Sequence, residues 1–128
     1  MGTRETVLVV DDEDMVRGLA VRMLARRGYR VLEAPGSEEA LRVLQRASQE
    51  ISGVLTDVVM PGRSGWQLGE IIARHWPGVR VLYMSGFPLR RMVGEEPFDP
   101  LLPFIEKPFT SEQLARKMGE VLAGRRRH

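Results

Sequence analysis

Cysteine is absent from the 128 residues. That excludes disulfides, thiolate nucleophiles, iron–sulfur clusters and the usual structural zinc sites. Histidine is almost absent too: His75 and His128 are far apart and stand in no metal-ligand spacing. No apolar run approaches the ~20 residues of a membrane-spanning helix, and no secretory leader pattern opens the chain. A cytoplasmic protein without membrane insertion is the expectation. A strong charge of one sign is also missing. The formal net charge is +2, and Arg125, Arg126 and Arg127 supply three of the positives. Without them the body is close to neutral, so no broad nucleic-acid footprint and no direct nucleic-acid binding are expected. That arginine run suits the C-terminal end of a helix, where cations meet the negative end of the dipole. No feature of the sequence specifies an oligomeric state.

What is present has the composition of an ordinary folded chain, 43% hydrophobic and 28% charged, and its length suits one domain. A single domain over residues 1–128 is expected, with a core over about 6–122 and a basic tail at 125–128. Five short apolar runs, at residues 6–10, 30–34, 53–56, 79–84 and 102–105, alternate with longer amphipathic stretches. VLVV and VRVLYM do not alternate polar with apolar, as strands covered on both faces do not. Between them Met15, Val16, Leu19, Met23 and Leu24 repeat at helical steps, as do Ala40, Leu41, Leu44 and Ala47 behind a Ser37 cap. Trp66, Leu68, Ile71 and Ile72 mark a third helix. Leu114, Met118, Val121 and Leu122 mark a last one after Thr110 and Ser111, with Gly124 as its stop. Strand and helix in strict alternation imply a doubly wound parallel α/β sheet with helices on both faces. Pro88, Pro97, Pro100 and Pro103 limit any further helix to residues 89 to about 96.

In such a sheet, ligands bind beyond the carboxyl ends of the strands. Those ends carry Asp11, Asp12, Glu13 and Asp14, then Asp57, then Ser85-Gly86, then Lys107-Pro108. Helix capping accounts for Glu13 and Asp14. It does not account for two acids still on the strand end, nor for Asp57, which follows an apolar run with no helix to cap. Crowded carboxylates require a cation or a shared proton, and all-oxygen ligation suits Mg²⁺. Lysine is rare in this chain: Lys107 and Lys117 stand against 17 arginines. A lysine at a strand end therefore points to a compact charge for phosphate, whereas Lys117 reads as a solvated side chain. No histidine stands as a base for Ser85, which argues against a serine hydrolase. Ser85 can donate to a phosphoryl oxygen, and a plain turn before Gly86 is equally open. A carboxylate nucleophile, a cation site and a Lys/Ser pair together suggest phosphoryl transfer onto Asp57.

The strings VLVVDDED, LTDVVMPGRSG, YMSG and FIEKPF resemble, in order and spacing, the motifs of two-component response regulator receiver domains. Asp12 and Asp57 are 45 residues apart, Asp57 and Ser85 28, Ser85 and Lys107 22. The run TDVVMPGRSGWQL with EKPF looks most like receivers attached to hybrid sensor histidine kinases. The resemblance implies a flavodoxin-like fold of strand order 2-1-3-4-5 and phosphorylation of Asp57 by a histidine kinase or histidine phosphotransfer domain. It implies Mg²⁺ held by Asp12, Asp57 and the Val59 carbonyl, with Asp11 acting through water. It makes Asp57, Lys107 and Ser85 the catalytic set, Ser85 and Phe104 the switch pair, and Lys107-Pro108 a cis peptide. It also implies a protein that catalyses only its own phosphorylation and dephosphorylation. Apolar Val59 and Phe87 then suggest a long-lived phosphorylated state, because neither orients water. Two other readings remain. A haloacid-dehalogenase-like phosphatase would use the Asp12-x-Asp14 spacing, and a pseudo-receiver would never take phosphate.

Overall fold

The computed structural model describes residues 5–86 and 102–126. Strand β1 (Thr6–Val10) leads to helix α1 (Asp14–Arg26), and β2 (Arg30–Ala34) to α2 (Ser37–Ala47) with a short 3₁₀ turn at Ser48–Glu50. Then come β3 (Gly53–Asp57), α3 (Gly65–His75), β4 (Arg80–Ser85), β5 (Phe104–Glu106) and α4 (Ser111–Arg126). The five strands form one parallel sheet in the order β2-β1-β3-β4-β5. This is the expected doubly wound order. The expected helix at 89 to about 96, and Phe87, lie outside the described residues.

Every residue of β1 and β3 is buried, which explains why both read as unbroken apolar runs. Their side chains feed two cores, one on each face. Val7, Val9, Leu55, Leu82 and Met84 pack with Ala20 and Leu24 of α1 and with Leu114, Met118 and Leu122 of α4. Leu8, Val10 and Val54 pack on the other face with Ala40 and Leu44 of α2 and Leu68 and Ile72 of α3. Each such leucine contributes about 2 kcal/mol by leaving water.

Several boundaries differ from the sequence reading, each for a local reason. β3 reaches Asp57 because Asp57 pairs with Met84 and the next amide, Val58 N–H, still reaches the Met84 carbonyl at 3.0 Å. β4 starts at Arg80, because Val79 N–H closes a turn onto Trp76 O. β5 starts at Phe104, because Leu102 is exposed and Pro103 has no N–H to give, although its carbonyl accepts Tyr83 N–H. Ser37 is the first residue of α2 and does not cap it; its hydroxyl donates to Arg63 O at 2.9 Å. Thr110 does cap α4, exchanging hydrogen bonds with Gln113. Gly124 does not end that helix, which continues to Arg126. A Cβ at Gly124 would come within 3.0 Å of the Arg80 guanidinium, so glycine there makes room for Arg80. On α1, Met15 and Leu19 are exposed, and Ala20 and Leu24 are the buried pair.

Candidate functional site

The strand ends converge as the topology requires. Asp11 follows the last residue of β1, and its side chain is wholly buried. One carboxylate oxygen accepts Glu13 N–H at 2.9 Å, and the other accepts from Lys107 Nζ at 3.1 Å. Asp12, one residue on, is exposed. Asp57 closes β3 with its carboxylate 3.5 Å from the same Lys107 Nζ. One oxygen from each of Asp11, Asp12 and Asp57 lies within 4.8 Å of the others. This all-oxygen donor set fits a hard divalent cation of the Mg²⁺ type. Both Asp11 oxygens are already occupied by protein donors, whereas Asp12 faces solvent.

The electrostatics follow from burial and from two carboxylates, Asp11 and Asp57, sharing one ammonium. Burial pushes the Asp57 carboxyl up to about 6. Lys107 opposes that rise, the Asp11 charge adds to it, and a hydrogen bond from the Val59 backbone N–H works against it. Asp57 is thus ionised at neutral pH but held in an unfavourable place. An added cation relieves that.

Ser85 ends β4 and is buried, and its carbonyl accepts Lys107 N–H at 2.8 Å. The Lys107-Pro108 peptide is cis. Phe104 stands apart from the acids. It pairs across the sheet with Tyr83 and leans on a small apolar cluster of Val58, Trp66 and Tyr83. Val59, two residues past Asp57, is 55% exposed. Asp14 is turned away from the acidic group, onto Arg17 at 2.7 Å. His75 is exposed, and Lys117 is half-buried and faces Glu120 at 3.9 Å.

Two residues around the site were not singled out by sequence. Arg17 donates to Asp11 O at 2.8 Å, Asp14 Oδ1 at 2.7 Å and Glu33 Oε1 at 2.9 Å. It ties the acidic loop to α1 and β2, and these carboxylates raise its own pKa against some desolvation. Nothing in the local pattern distinguishes it from 16 other arginines. Gly65, first residue of α3, packs directly on the Asp57 backbone. Its sequence signal is its place at the end of the string LTDVVMPGRSG, which does not say what the glycine touches.

Comparison with known proteins bears on the family and the fold. The model of the response regulator receiver domain matches residues 7–118. The sensor kinase CckA of Brucella abortus (strain 2308) is 38% identical over 91% of this chain and 12% of its own length. The chain spans half or less of the first curated relatives that it matches. Among solved structures, the receiver domain from the hybrid histidine kinase CckA superposes with a TM-score of 0.75 at 32% identity. That match covers 91% of this chain and 98% of the other. A response regulator receiver protein from Sinorhizobium medicae WSM419 gives 0.82 at 27% identity, covering 95% and 97%.

Proposed function

The chain belongs to the response regulator receiver domain family, and from that premise we propose that it accepts a phosphoryl group on Asp57 from a histidine kinase or histidine phosphotransfer domain. One observation carries the reading. Lys107 Nζ stands 3.1 Å from Asp11 and 3.5 Å from Asp57, beside a third acid. A lone ammonium among three carboxylates at the strand ends suits a site built to receive a cation and a phosphate together.

The reaction follows from that placement. An Asp57 carboxylate oxygen attacks phosphorus, and an acyl phosphate bond forms. The bond from phosphorus to the donor imidazole nitrogen breaks, and its electron pair stays on that nitrogen. Lys107 and the Ser85 hydroxyl are assigned to the oxygens of the incoming group, where their donors offset growing negative charge. Asp12, Asp57 and the Val59 carbonyl are the residues to hold Mg²⁺, with Asp11 acting through water. When bound, Mg²⁺ neutralises charge on the phosphoryl oxygens and the acids around them. Phe104 and Ser85 are the pair that changes position afterwards. The buried cluster of Val58, Trp66 and Tyr83 supports this, since it joins the peptide next to Asp57 to the Phe104 ring. The chain turns over no external substrate. It acts as one receiver unit over about residues 6–122, in the cytoplasm. Among the described residues no helix is long and apolar enough to cross a membrane.

Intact-mass spectrometry after incubation with acetyl phosphate and Mg²⁺ tests this. Wild type gains one phosphoryl group and Asp57→Asn gains none. An equal gain in the variant would overturn the assignment.

A further inference from the structure

Gly65 occupies the first position of α3, directly after the Ser64 cap. Its N–H donates to Val58 O at 2.8 Å, so the helix start is bonded to the peptide that follows Asp57. A Cβ built on Gly65 would lie 2.0 Å from Asp57 O, 2.9 Å from Asp57 C and 2.9 Å from Val58 Cα. All three neighbours are backbone atoms, which have no rotamer with which to move aside. The glycines with positive φ among the described residues are Gly28 and Gly62, so Gly65 is required for its space and not for its backbone freedom.

We propose that Gly65 is a positioning residue for the nucleophile. Its missing side chain lets the start of α3 close on the Asp57–Val58 peptide and sets where the Asp57 carboxylate stands relative to Lys107 and Asp11. The inference rests on the reading of Asp57 as phosphoacceptor. Any side chain at position 65 must push that peptide, or the helix start, by about 1 Å. A misplacement of that size is enough to slow a positioned reaction by about 100-fold.

Gly69, one turn along the same helix, supplies the control. A Cβ there would come within 1.8 Å of Tyr83 Oη and 2.7 Å of Tyr83 Cζ. This clash falls on the outer end of the Tyr83 side chain and not on the backbone of Asp57. Gly65→Ala and Gly69→Ala therefore share the same helix and the same change, and differ in whether the clash meets the Asp57 backbone or a side chain. The experiment measures urea stability, Mg²⁺ affinity and the saturating rate of phosphorylation by acetyl phosphate, expressed per folded molecule. Sucrose is added to restore the folded fraction of any weakened variant. The expected result is that both variants lose stability. Gly65→Ala alone loses about 100-fold in saturating rate, and Gly69→Ala stays within a few-fold of wild type. Equal rates in Gly65→Ala and wild type, or equal slowing in both variants, would reduce Gly65 to a packing residue. A wild type that takes up no phosphoryl group removes the phosphoacceptor reading, and this inference with it.

Discussion

The two loops that bring acids to the site are held in opposite ways. The loop after β1 is held by charge. Arg17 grips the Asp11 carbonyl, Asp14 and Glu33, and Lys107 grips the Asp11 carboxylate. The loop after β3 is held by fit. Val58 and Met60 are buried, Gly62 turns the chain at φ 76°, Ser64 and Gln67 exchange capping hydrogen bonds, and Gly65 seats the helix on Asp57. Added salt is therefore expected to loosen the first loop more than the second. On the proposed function, this sets the phosphoacceptor in a packed frame beside an acidic loop held by charge.

Lys107 is the point where the two loops meet, so its loss should have the largest effect. Lys107→Ala is expected to slow phosphorylation by acetyl phosphate by about 10²–10³-fold, the range for a lost charge-stabilising donor. Lys107→Arg should recover little of this, because the planar fork replaces a compact charge. A loss under tenfold in initial rate would remove Lys107 from the reaction.

Next comes the strain of ionised Asp57 itself. Its folded pKa of about 6 lies above the ordinary 3.8. The relative stability that this raised value confers is full below the unfolded pKa and is lost as pH rises through 6. In chelator, wild type and Asp57→Asn should therefore be similar near pH 4. By pH 8 the variant should be more stable by about 2–3 kcal/mol. Urea titrations across that range test the sign, and a gap that does not open through pH 6 would contradict it. Millimolar Mg²⁺ should narrow the gap by stabilising wild type.

Smaller effects should separate the loops. Arg17→Gln is expected to weaken Mg²⁺ binding about tenfold, as loss of a supporting contact behind a metal ligand does. Calorimetric titration would reveal it, and unchanged affinity would mean that charge does not hold the first loop. Arg63 in the second loop makes an ion pair with Glu38 at 2.6 Å, but both partners are exposed. Arg63→Gln should alter stability by no more than about 0.5 kcal/mol and leave Mg²⁺ affinity alone.

What the sequence disclosed follows the same division. The strands and the acids at their ends were legible, because unbroken apolar runs followed by a charge mark a buried strand reaching a rim, whereas the strand order was implied by the resemblance to receiver domains. Lys107 was legible because lysine is rare here. Features that depend on which elements touch were hidden. The α1 repeat allowed two buried faces, and packing against α4 chose Ala20 and Leu24 over Met15 and Leu19. Ser37 looked like a cap until Arg63 O came within reach of its hydroxyl, 26 residues away. Arg17 needed Glu33 beside it, and Gly65 needed the Asp57 carbonyl above it.

The aromatic pair under the site has an optical consequence. The Trp66 ring is buried, 4.5 Å from that of Tyr83 and packed with Val58, the neighbour of Asp57. The other tryptophan, Trp76, lies at the far end of α3 beside His75 and is partly exposed. The protein thus contains one shielded fluorophore close to Asp57 and one wetter emitter at the other end of the helix. Trp76→Phe leaves a single blue-shifted emitter, fed by energy transfer from Tyr83. Its intensity is expected to follow movement of the Val58 peptide, so stopped flow without a label would time the proposed cation binding and phosphoryl transfer.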